Sequence, residues 1–180
     1  MSKSLDFAKS GLKLSADVYL GLGANLGTPL STFENCLPLI EEYSQIISRS
    51  RLYRSAPYGY ADQPPFSNAA LRISTDLSPL DLLHKLQETE KTLGKKVIHK
   101  NGPRVIDLDL LLYDELSLEN DDLVIPHPRI LDRDFVLRPL HDLNPMLTHP
   151  SWAPKTLKSA LSGLQQKFVE NNPEPWELTD

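Results

Sequence analysis

This chain has a single cysteine, no long apolar run and no excess of basic charge. Cys36 is the only cysteine among 180 residues, so no disulfide can form within the chain and a reducing compartment is expected. No apolar run approaches the roughly 20 residues that a membrane-spanning helix needs. The formal net charge of −5 argues against general affinity for nucleic acid or anionic membranes. We therefore expect a cytoplasmic protein with no nucleic-acid or membrane partner.

The composition that is present is typical of one globular domain. Hydrophobic residues make up 40% of the chain and charged residues 24%, which is close to the average for folded proteins. We expect a loose N-terminal extension at 1–15, a single domain at 16–170 and a loose polar tail at 171–180. Cys36 lies in an apolar stretch, so we expect a buried and inert thiol.

The hydrophobic periodicity predicts the order β-α-β-β-α-β. Helices are predicted to begin at Thr28-Pro29 and Ser78-Pro79, because a hydroxyl cap followed by proline is typical of a helix start. Pro38 predicts a kink or an early end of the first helix. The predicted strands cover 17–22, 45–54, 68–75 and 105–113. This order predicts an α+β fold with a ferredoxin-like core, followed by short elements near 135–143 and a helix at 156–168.

Two aspartates in the segment Gly102-Pro103-Arg104-Val105-Ile106-Asp107-Leu108-Asp109 form the sharpest local motif. On a strand, Asp107 and Asp109 point to one face while their apolar neighbours enter the core. Two carboxylates on one rigid face repel each other unless a cation lies between them, and Mg²⁺ prefers such oxygen ligands. A bare Asp-x-Asp is more often an acidic strand face. The Gly-Pro-Arg sequence before the pair favours the metal.

Basic side chains follow or flank this acidic pair. Arg104 either binds a phosphate or neutralises Asp107, and the local sequence leaves these two roles open. His127 and Arg133 follow in the segment from Pro126 to Phe135. A lone histidine in a turn is more often structural, but several cations after an acidic pair favour a clamp for nucleotide phosphates.

Glycines and aromatic residues mark two further segments. The spacing of Gly21, Gly23 and Gly27 does not fit the G-x-G-x-x-G fingerprint, so we interpret these glycines as a tight turn between strand and helix near the site. The segment 56–68 contains aromatic residues, proline and glycine. Such a loop can stack on a flat heterocycle, although alone it is more often only a structured loop.

Together these segments resemble the 6-hydroxymethyl-7,8-dihydropterin pyrophosphokinase family. The matching segments lie between about Val18 and Asn144 in family order, and they are Gly23-Ala24-Asn25-Leu26-Gly27, Asp62-Gln63-Pro64, Phe66-Ser67-Asn68-Ala69, Gly102 to Asp109, Pro126-His127-Pro128 and Phe135-Val136-Leu137. The resemblance implies a ferredoxin-like enzyme of folate biosynthesis. Its reaction would move pyrophosphate from ATP to the pterin hydroxymethyl group.

The resemblance also implies a role for individual residues. Asp107 and Asp109 would hold two Mg²⁺ ions that bridge ATP and the pterin, and Arg104 and Lys95 would assist the transfer. The implied pterin-binding residues are Ser55, Tyr58, Phe66, Asn68 and Phe135. The implied nucleotide-binding residues are Glu90, Arg104, His127 and Arg133. No dedicated general base is evident.

One loop departs from the family pattern. Residues 95–101 carry lysines where many relatives have arginines and a tryptophan, and Lys95 lacks the fork geometry of arginine. This departure keeps open a non-catalytic ferredoxin-like module that binds pterin and nucleotide. A Mg²⁺-dependent transferase with another acceptor is a second alternative. The resemblance implies dihydropteroate synthase as a candidate partner.

Overall fold

One antiparallel sheet organises the part of the chain that the computed structural model describes, residues 15–96, 101–170 and 172–176. Its strands are β1 (Ala16–Ala24), β2 (Gln45–Arg49), β3 (Tyr53–Ser55), β4 (Phe66–Thr75) and β5 (Asp107–Tyr113). They lie in the order β2-β4-β1-β5, and β3 also pairs with β4. Every pairing is antiparallel. The predicted α+β class is confirmed.

Helices and short elements complete the described structure. The helices are α1 (Pro29–Glu41), α2 (Pro79–Thr92), α3 (Asp134–Leu143) and α4 (Leu157–Gly163). A small ribbon joins β6 (Leu118–Glu119) and β7 (Val124–Ile125), and 3-10 turns lie at Ile130–Asp132 and Pro150–Trp152. Within the described ranges, every helix is too short or too polar to cross a bilayer.

The sheet carries a hydrophobic cluster on each face. Val18, Leu20 and Leu22 of β1 belong to the cluster under α1 and α2, whereas Tyr19 belongs to the cluster under α3 and α4. This division follows from the alternation of side chains along a strand. By the same alternation, Gly21 lies on the face of Tyr19. Beyond Tyr19 this second face is therefore free of bulky side chains from β1.

The predicted strand at 45–54 is divided in the structure. The pairing of β2 with β4 shifts between Ile46 and Ser48, so Ile47 bulges outward and is 49% exposed. Ser50 then interrupts the strand, because its hydroxyl accepts the Ala70 N–H at 2.9 Å. The strand predicted at 105–113 begins later than expected, at its first aspartate.

Three helix predictions need correction. α1 continues through Pro38 and buries Phe33, Cys36 and Ile40, so the early end predicted from the proline is wrong. The segment predicted as short elements near 135–143 is one continuous helix, α3. The helix predicted at 156–168 ends at Gly163, because Leu164 leaves the helical conformation with φ −64° and ψ 124°.

The C-terminal residues 172–176 lie against the sheet, which differs from the loose tail expected at 171–180. The backbone N–H of Glu174 donates to the Leu52 carbonyl at 3.1 Å and the Leu52 N–H donates back at 2.8 Å. The Trp176 ring is buried against Phe33, with ring centroids 5.5 Å apart. The extension expected at 1–15 lies almost wholly outside the described residues, as do 171 and 177–180.

Substitution Trp176→Ala tests whether the C-terminal residues stabilise the domain. Removing a buried indole is expected to lower the free energy of unfolding by about 3 kcal/mol, measured by urea denaturation. Trp176→Phe is the matched control, because it keeps an aromatic ring beside Phe33 and removes an indole N–H that is buried without a partner within the described residues. Equal midpoints for Trp176→Ala and the wild type would contradict the packing role.

Candidate active site

Three neighbouring strands form the floor of a cleft on the second face of the sheet. In an antiparallel sheet, residues directly opposite each other project from the same face. The register aligns two such rows across β4, β1 and β5, namely Asn68–Gly23–Asp107 and Ala70–Gly21–Asp109. Both acidic side chains therefore lie beside a position of β1 that has no side chain.

The tight turn predicted for Gly21, Gly23 and Gly27 is wrong for the first two, which lie in β1. Gly21 and Gly23 are paired strand residues, and only Gly27, with φ +66°, lies in the turn before α1. A Cβ on Gly21 would lie 3.3 Å from the Leu111 side chain, whereas a Cβ on Gly23 would lie no closer than 3.8 Å to the Asn68 oxygen Oδ1. The missing side chains leave room for a ligand next to the carboxylates.

Asp107 is neutralised by two cations. Lys95 Nζ lies 2.7 Å from Oδ1, and the Arg104 guanidinium lies 2.6 Å from Oδ2. Lys95 also donates to Glu90 Oε1 at 2.8 Å, and that oxygen accepts the Leu108 N–H at 2.6 Å. Burial raises the pKa of Glu90. For Lys95, burial opposes the charge, but Asp107 and Glu90 outweigh it and the pKa is raised.

Asp109 is the member of the acidic pair that points beside Gly21. Burial, followed by the charges of Asp107 and Glu90, raises the pKa of Asp109 to about 7. A cation bound nearby would stabilise the ionised form of such a carboxyl group. Among the described residues there is no group of three or more His, Cys, Asp or Glu side chains that could hold a metal. Asp107 and Asp109 would therefore need ligand oxygens from a substrate to complete a Mg²⁺ shell.

Two further basic residues, His127 and Arg133, face the cleft near α3. Burial and the charge of Arg133 lower the pKa of His127, which favours the neutral imidazole. The Arg133 guanidinium lies 4.6 Å from the centroid of the Tyr58 ring and 5.7 Å from that of Phe135. Its Nε is buried and has no hydrogen-bond partner within the described part of the chain. This arginine retains donor capacity for an anion.

Aromatic rings and one amide form the other side of the cleft. The ring centroids of Tyr58 and Phe135 lie 6.5 Å apart, and the Arg104 guanidinium lies 5.6 Å from that of Phe66. The Asn68 amide donates from Nδ2 to the Ser55 hydroxyl at 2.9 Å. It also donates to the Tyr53 and Phe66 carbonyls at 3.2 and 3.5 Å. These bonds direct the amide oxygen toward the cleft floor.

Asn25 organises the loops around the cleft, a role that the sequence interpretation missed. Its Nδ2 donates to Gln63 Oε1 at 3.0 Å and to the Pro64 carbonyl at 2.9 Å, while its Oδ1 accepts the Arg104 N–H at 2.8 Å. Gln63 in turn donates to the Asn101 carbonyl at 2.8 Å. Three segments distant in sequence are thus joined by amide groups. Asn25 and Gln63 both lie in segments that resemble the family, and their amide side chains were the sequence signal that could have predicted this network.

Most of the predicted site residues line one cleft, whose empty volume of about 830 Å³ includes space open to solvent. The predicted residues along its wall are Ser55, Tyr58, Phe66, Asn68, Arg104, Asp107, Asp109, His127, Arg133 and Phe135. Glu90 and Lys95 reach this cleft through Asp107 and the β5 backbone. Residues 97–100 of the departing loop lie outside the described residues. Lining residues that the sequence interpretation missed include Asn101 and Val136.

A family model and two bacterial relatives identify the same family of proteins as similar to this chain. The family model for 7,8-dihydro-6-hydroxymethylpterin-pyrophosphokinase (HPPK) matches residues 19–145. The 2-amino-4-hydroxy-6-hydroxymethyldihydropteridine pyrophosphokinase of Aquifex aeolicus is 39% identical over 135 residues, which is 75% of this chain and 84% of that protein. The protein of the same name from Haemophilus influenzae is 38% identical over 135 residues, covering 74% of this chain and 84% of its own length.

Longer relatives and solved structures agree with this match. A folic acid synthesis protein of Dictyostelium discoideum is 40% identical over 158 residues, covering 88% of this chain, but the chain spans only 24% of its length. The chain spans 18% of a similar Pneumocystis carinii protein. A Plasmodium falciparum HPPK-DHPS structure superposes with a TM-score of 0.67 over 85% of this chain and 46% of its own, at 17% identity, which supports the fold alone.

The family model covers most of the chain and all the segments that build the cleft. The two bacterial relatives exceed 30% identity over most of their own length. The fold, the cleft and these relatives thus agree, and the chain belongs to the 7,8-dihydro-6-hydroxymethylpterin-pyrophosphokinase family.

Proposed function

We propose that this chain transfers pyrophosphate from ATP to the hydroxymethyl group of 6-hydroxymethyl-7,8-dihydropterin in folate biosynthesis. One observation carries the proposal: two carboxylates, the basic residues Arg104, His127 and Arg133, and a set of aromatic rings line a single cleft. The carboxylates and cations suit a polyphosphate with its metal. The rings suit a flat heterocycle beside it.

The donor set fits Mg²⁺. Asp107 and Asp109 offer hard oxygen ligands on one face of β5, and burial, followed by the charges of Asp107 and Glu90, raises the pKa of Asp109. We propose that these two side chains hold two Mg²⁺ ions, with ATP phosphates completing the coordination. When bound, the ions would neutralise charge on the transferred phosphoryl groups.

Pterin recognition is assigned to the aromatic side of the cleft. We propose that Phe66 and Phe135 stack on the two faces of the pterin, and that Tyr58 and Ser55 contribute at its edge. Because the Asn68 NH₂ group already donates to protein acceptors, its oxygen is the atom offered to the amino and ring N–H donors of a pterin. Gly23 leaves the space between Asn68 and Asp107 open.

Nucleotide binding is assigned to the cationic side. Arg133 has a buried Nε that a phosphate oxygen would satisfy, and neutral His127 can donate one hydrogen bond without adding charge. Arg104 and Lys95 pair with Asp107, which positions both cations at the reacting end of the cleft. Glu90 positions Lys95 and the backbone of β5, and we propose that it also borders the nucleotide.

The proposed chemistry needs positioning rather than a covalent enzyme intermediate. The hydroxymethyl oxygen forms a bond to the β-phosphorus, the bond from that phosphorus to the α-phosphate oxygen breaks, and AMP leaves. The hydroxyl proton passes to water as the new bond forms. The cleft holds both substrates, while Arg104, Lys95 and Arg133 stabilise negative charge on the phosphate oxygens.

We also propose a ferredoxin-like topology, a partner enzyme and a cellular location for this chain. The element order and the antiparallel order β2-β4-β1-β5 support a ferredoxin-like core. A solved relative combines HPPK with DHPS in its name, which supports dihydropteroate synthase as a partner. We retain the cytoplasm as the expected location, since the only cysteine is buried and unpaired. Family membership does not favour the non-catalytic binding module.

Substitution Asp109→Asn tests the metal role and the reaction together. With ATP, Mg²⁺ and the pterin, the wild type is expected to release AMP in a pterin-dependent manner. The variant is expected to lose at least about 100-fold in rate, because one metal-binding carboxylate is missing. AMP release is measured by chromatography. Tight pterin binding without AMP release by the wild type would instead support the binding module.

The same Asp109→Asn variant is expected to be more stable than the wild type without metal at pH 8. The folded-state pKa of about 7 lies above the ordinary value of 3.8, so the folded protein binds more protons across this interval. Wild-type stability is thus expected to fall as pH rises toward 7, by up to about 4 kcal/mol. Asp107→Asn is the matched control. The melting temperature of Asp107→Asn should not exceed that of the wild type, because this substitution leaves Lys95 and Arg104 without their shared carboxylate.

Substitution Gly23→Val tests the bare floor of the cleft. A side chain here has no close backbone contact and β-branched residues suit strands, so the melting temperature is expected to change little. Its methyl groups would fill the space beside Asn68, and pterin affinity is expected to fall about 10-fold or more, measured by calorimetry. Ile47→Val, at an exposed strand position, is the control. Unchanged pterin affinity in Gly23→Val would exclude this floor as the pterin surface.

A further inference from the structure

The chain beyond residue 145 lies outside the region that the family model matches, yet part of it runs beside the cleft. We call residues 168–170 and 172–176 the C-terminal strap. The Ala56 N–H donates to the Phe168 carbonyl at 2.8 Å, and the Glu170 N–H donates to the Arg54 carbonyl at 2.9 Å. Because Ala56 and Tyr58 line the cleft, the strap is bonded directly to the loop that forms one wall.

A buried carboxylate ties the strap to the start of α3. Asp134 is 1% exposed and is the first residue of α3. Both of its oxygens lie 3.0 Å from the Phe168 N–H, and one also accepts the Val169 N–H at 3.0 Å. Such N–H groups and a helix N-terminus offset the cost of burying the charge. The neighbours of Asp134 in the chain, Arg133 and Phe135, both line the cleft.

The aromatic ring at the start of the strap supports two rings of the cleft. Phe168 packs edge-on against Phe135, with centroids 5.7 Å apart and an interplanar angle of 84°. It packs against Tyr58 at 5.5 Å and 64°. Phe168 is 9% exposed and is not among the described residues that line the cleft. It therefore contacts both rings from outside the binding space.

We propose that Phe168, held in place by Asp134, is a positioning residue for the acceptor side of the cleft. The inference rests on the proposed function, since it assigns Tyr58 and Phe135 to the pterin. Each aromatic contact restricts the rotamers of a ring that the proposed function places against the pterin, Phe135 at its face and Tyr58 at its edge. Without Phe168, those rings are ordered only when the pterin binds, and the cost of ordering them appears as weaker affinity.

The test compares Phe168→Leu with the aromatic variant Phe168→Tyr. Calorimetry measures the Kd of the pterin in the presence of Mg²⁺ and a non-hydrolysable ATP analogue, and the Kd of the analogue alone. Phe168→Leu keeps an apolar side chain but loses two ring contacts, so the pterin Kd is expected to rise about tenfold. The analogue Kd is expected to stay within about twofold, and Phe168→Tyr is expected to restore most of the pterin affinity.

Trp176→Phe serves as a control at the far end of the strap and is expected to leave both Kd values unchanged. A purely structural role for Phe168 would lower both affinities together with the melting temperature. That result, or an unchanged pterin Kd in Phe168→Leu, would overturn the inference.

A readout without substrate separates this inference from the proposed function. In the unliganded protein, aromatic NMR signals of Tyr58 and Phe135 are expected to shift in Phe168→Leu and to return toward wild-type positions in Phe168→Tyr. Unchanged ring signals in Phe168→Leu would overturn the positioning role. If the wild type failed to bind pterin while the ring signals shifted, the proposed function would fall and Phe168 would position rings for another acceptor.

Discussion

β1 lies between β4 and β5, and its register with both strands determines the geometry of the cleft. The rows Asn68–Gly23–Asp107 and Ala70–Gly21–Asp109 exist only in this register. A slip of one residue would turn both aspartates into the apolar layer under α1 and α2. Leu108 and Leu110, buried in that layer, oppose such a slip. The same apolar residues that stabilise the sheet therefore hold the carboxylates on the open face.

The charges of the cleft are arranged unevenly around the two carboxylates. Lys95 and Arg104 both pair with Asp107, whereas Asp109 is half-buried beside that negative charge. Among the described residues, the ion pairs thus lie on one carboxylate of the two. Perturbed carboxyl groups of this kind are common at functional sites. The paired lysine and arginine also show that a chain of net charge −5 concentrates basic groups at one place.

Hydrogen bonds between distant segments give the cleft its walls. Asn25 joins the loop at Gln63 to the backbone of Arg104, and Asp134 joins the start of α3 to Phe168. Both side chains are buried and accept backbone N–H groups, so each would be costly to leave unpaired. Parts of the walls, at 56–58 and 101–104, are irregular chain, and these few buried polar groups supply the order that a regular sheet supplies to the floor.

The amino-acid sequence by itself determined the α+β class and the approximate strands and helices, and its resemblance to a family indicated many of the side chains that line the cleft. Alternation and helix caps are local properties, and Asp107 and Asp109 share a face as soon as their segment forms a strand. Only the tertiary structure decided that Gly21 and Gly23 are floor positions, that Asn25 bridges three segments, and that Phe168 reaches Tyr58 and Phe135. These features depend on strand register and on contacts between residues far apart in the chain. No local pattern encodes such contacts, because their energy arises only when the sheet has formed.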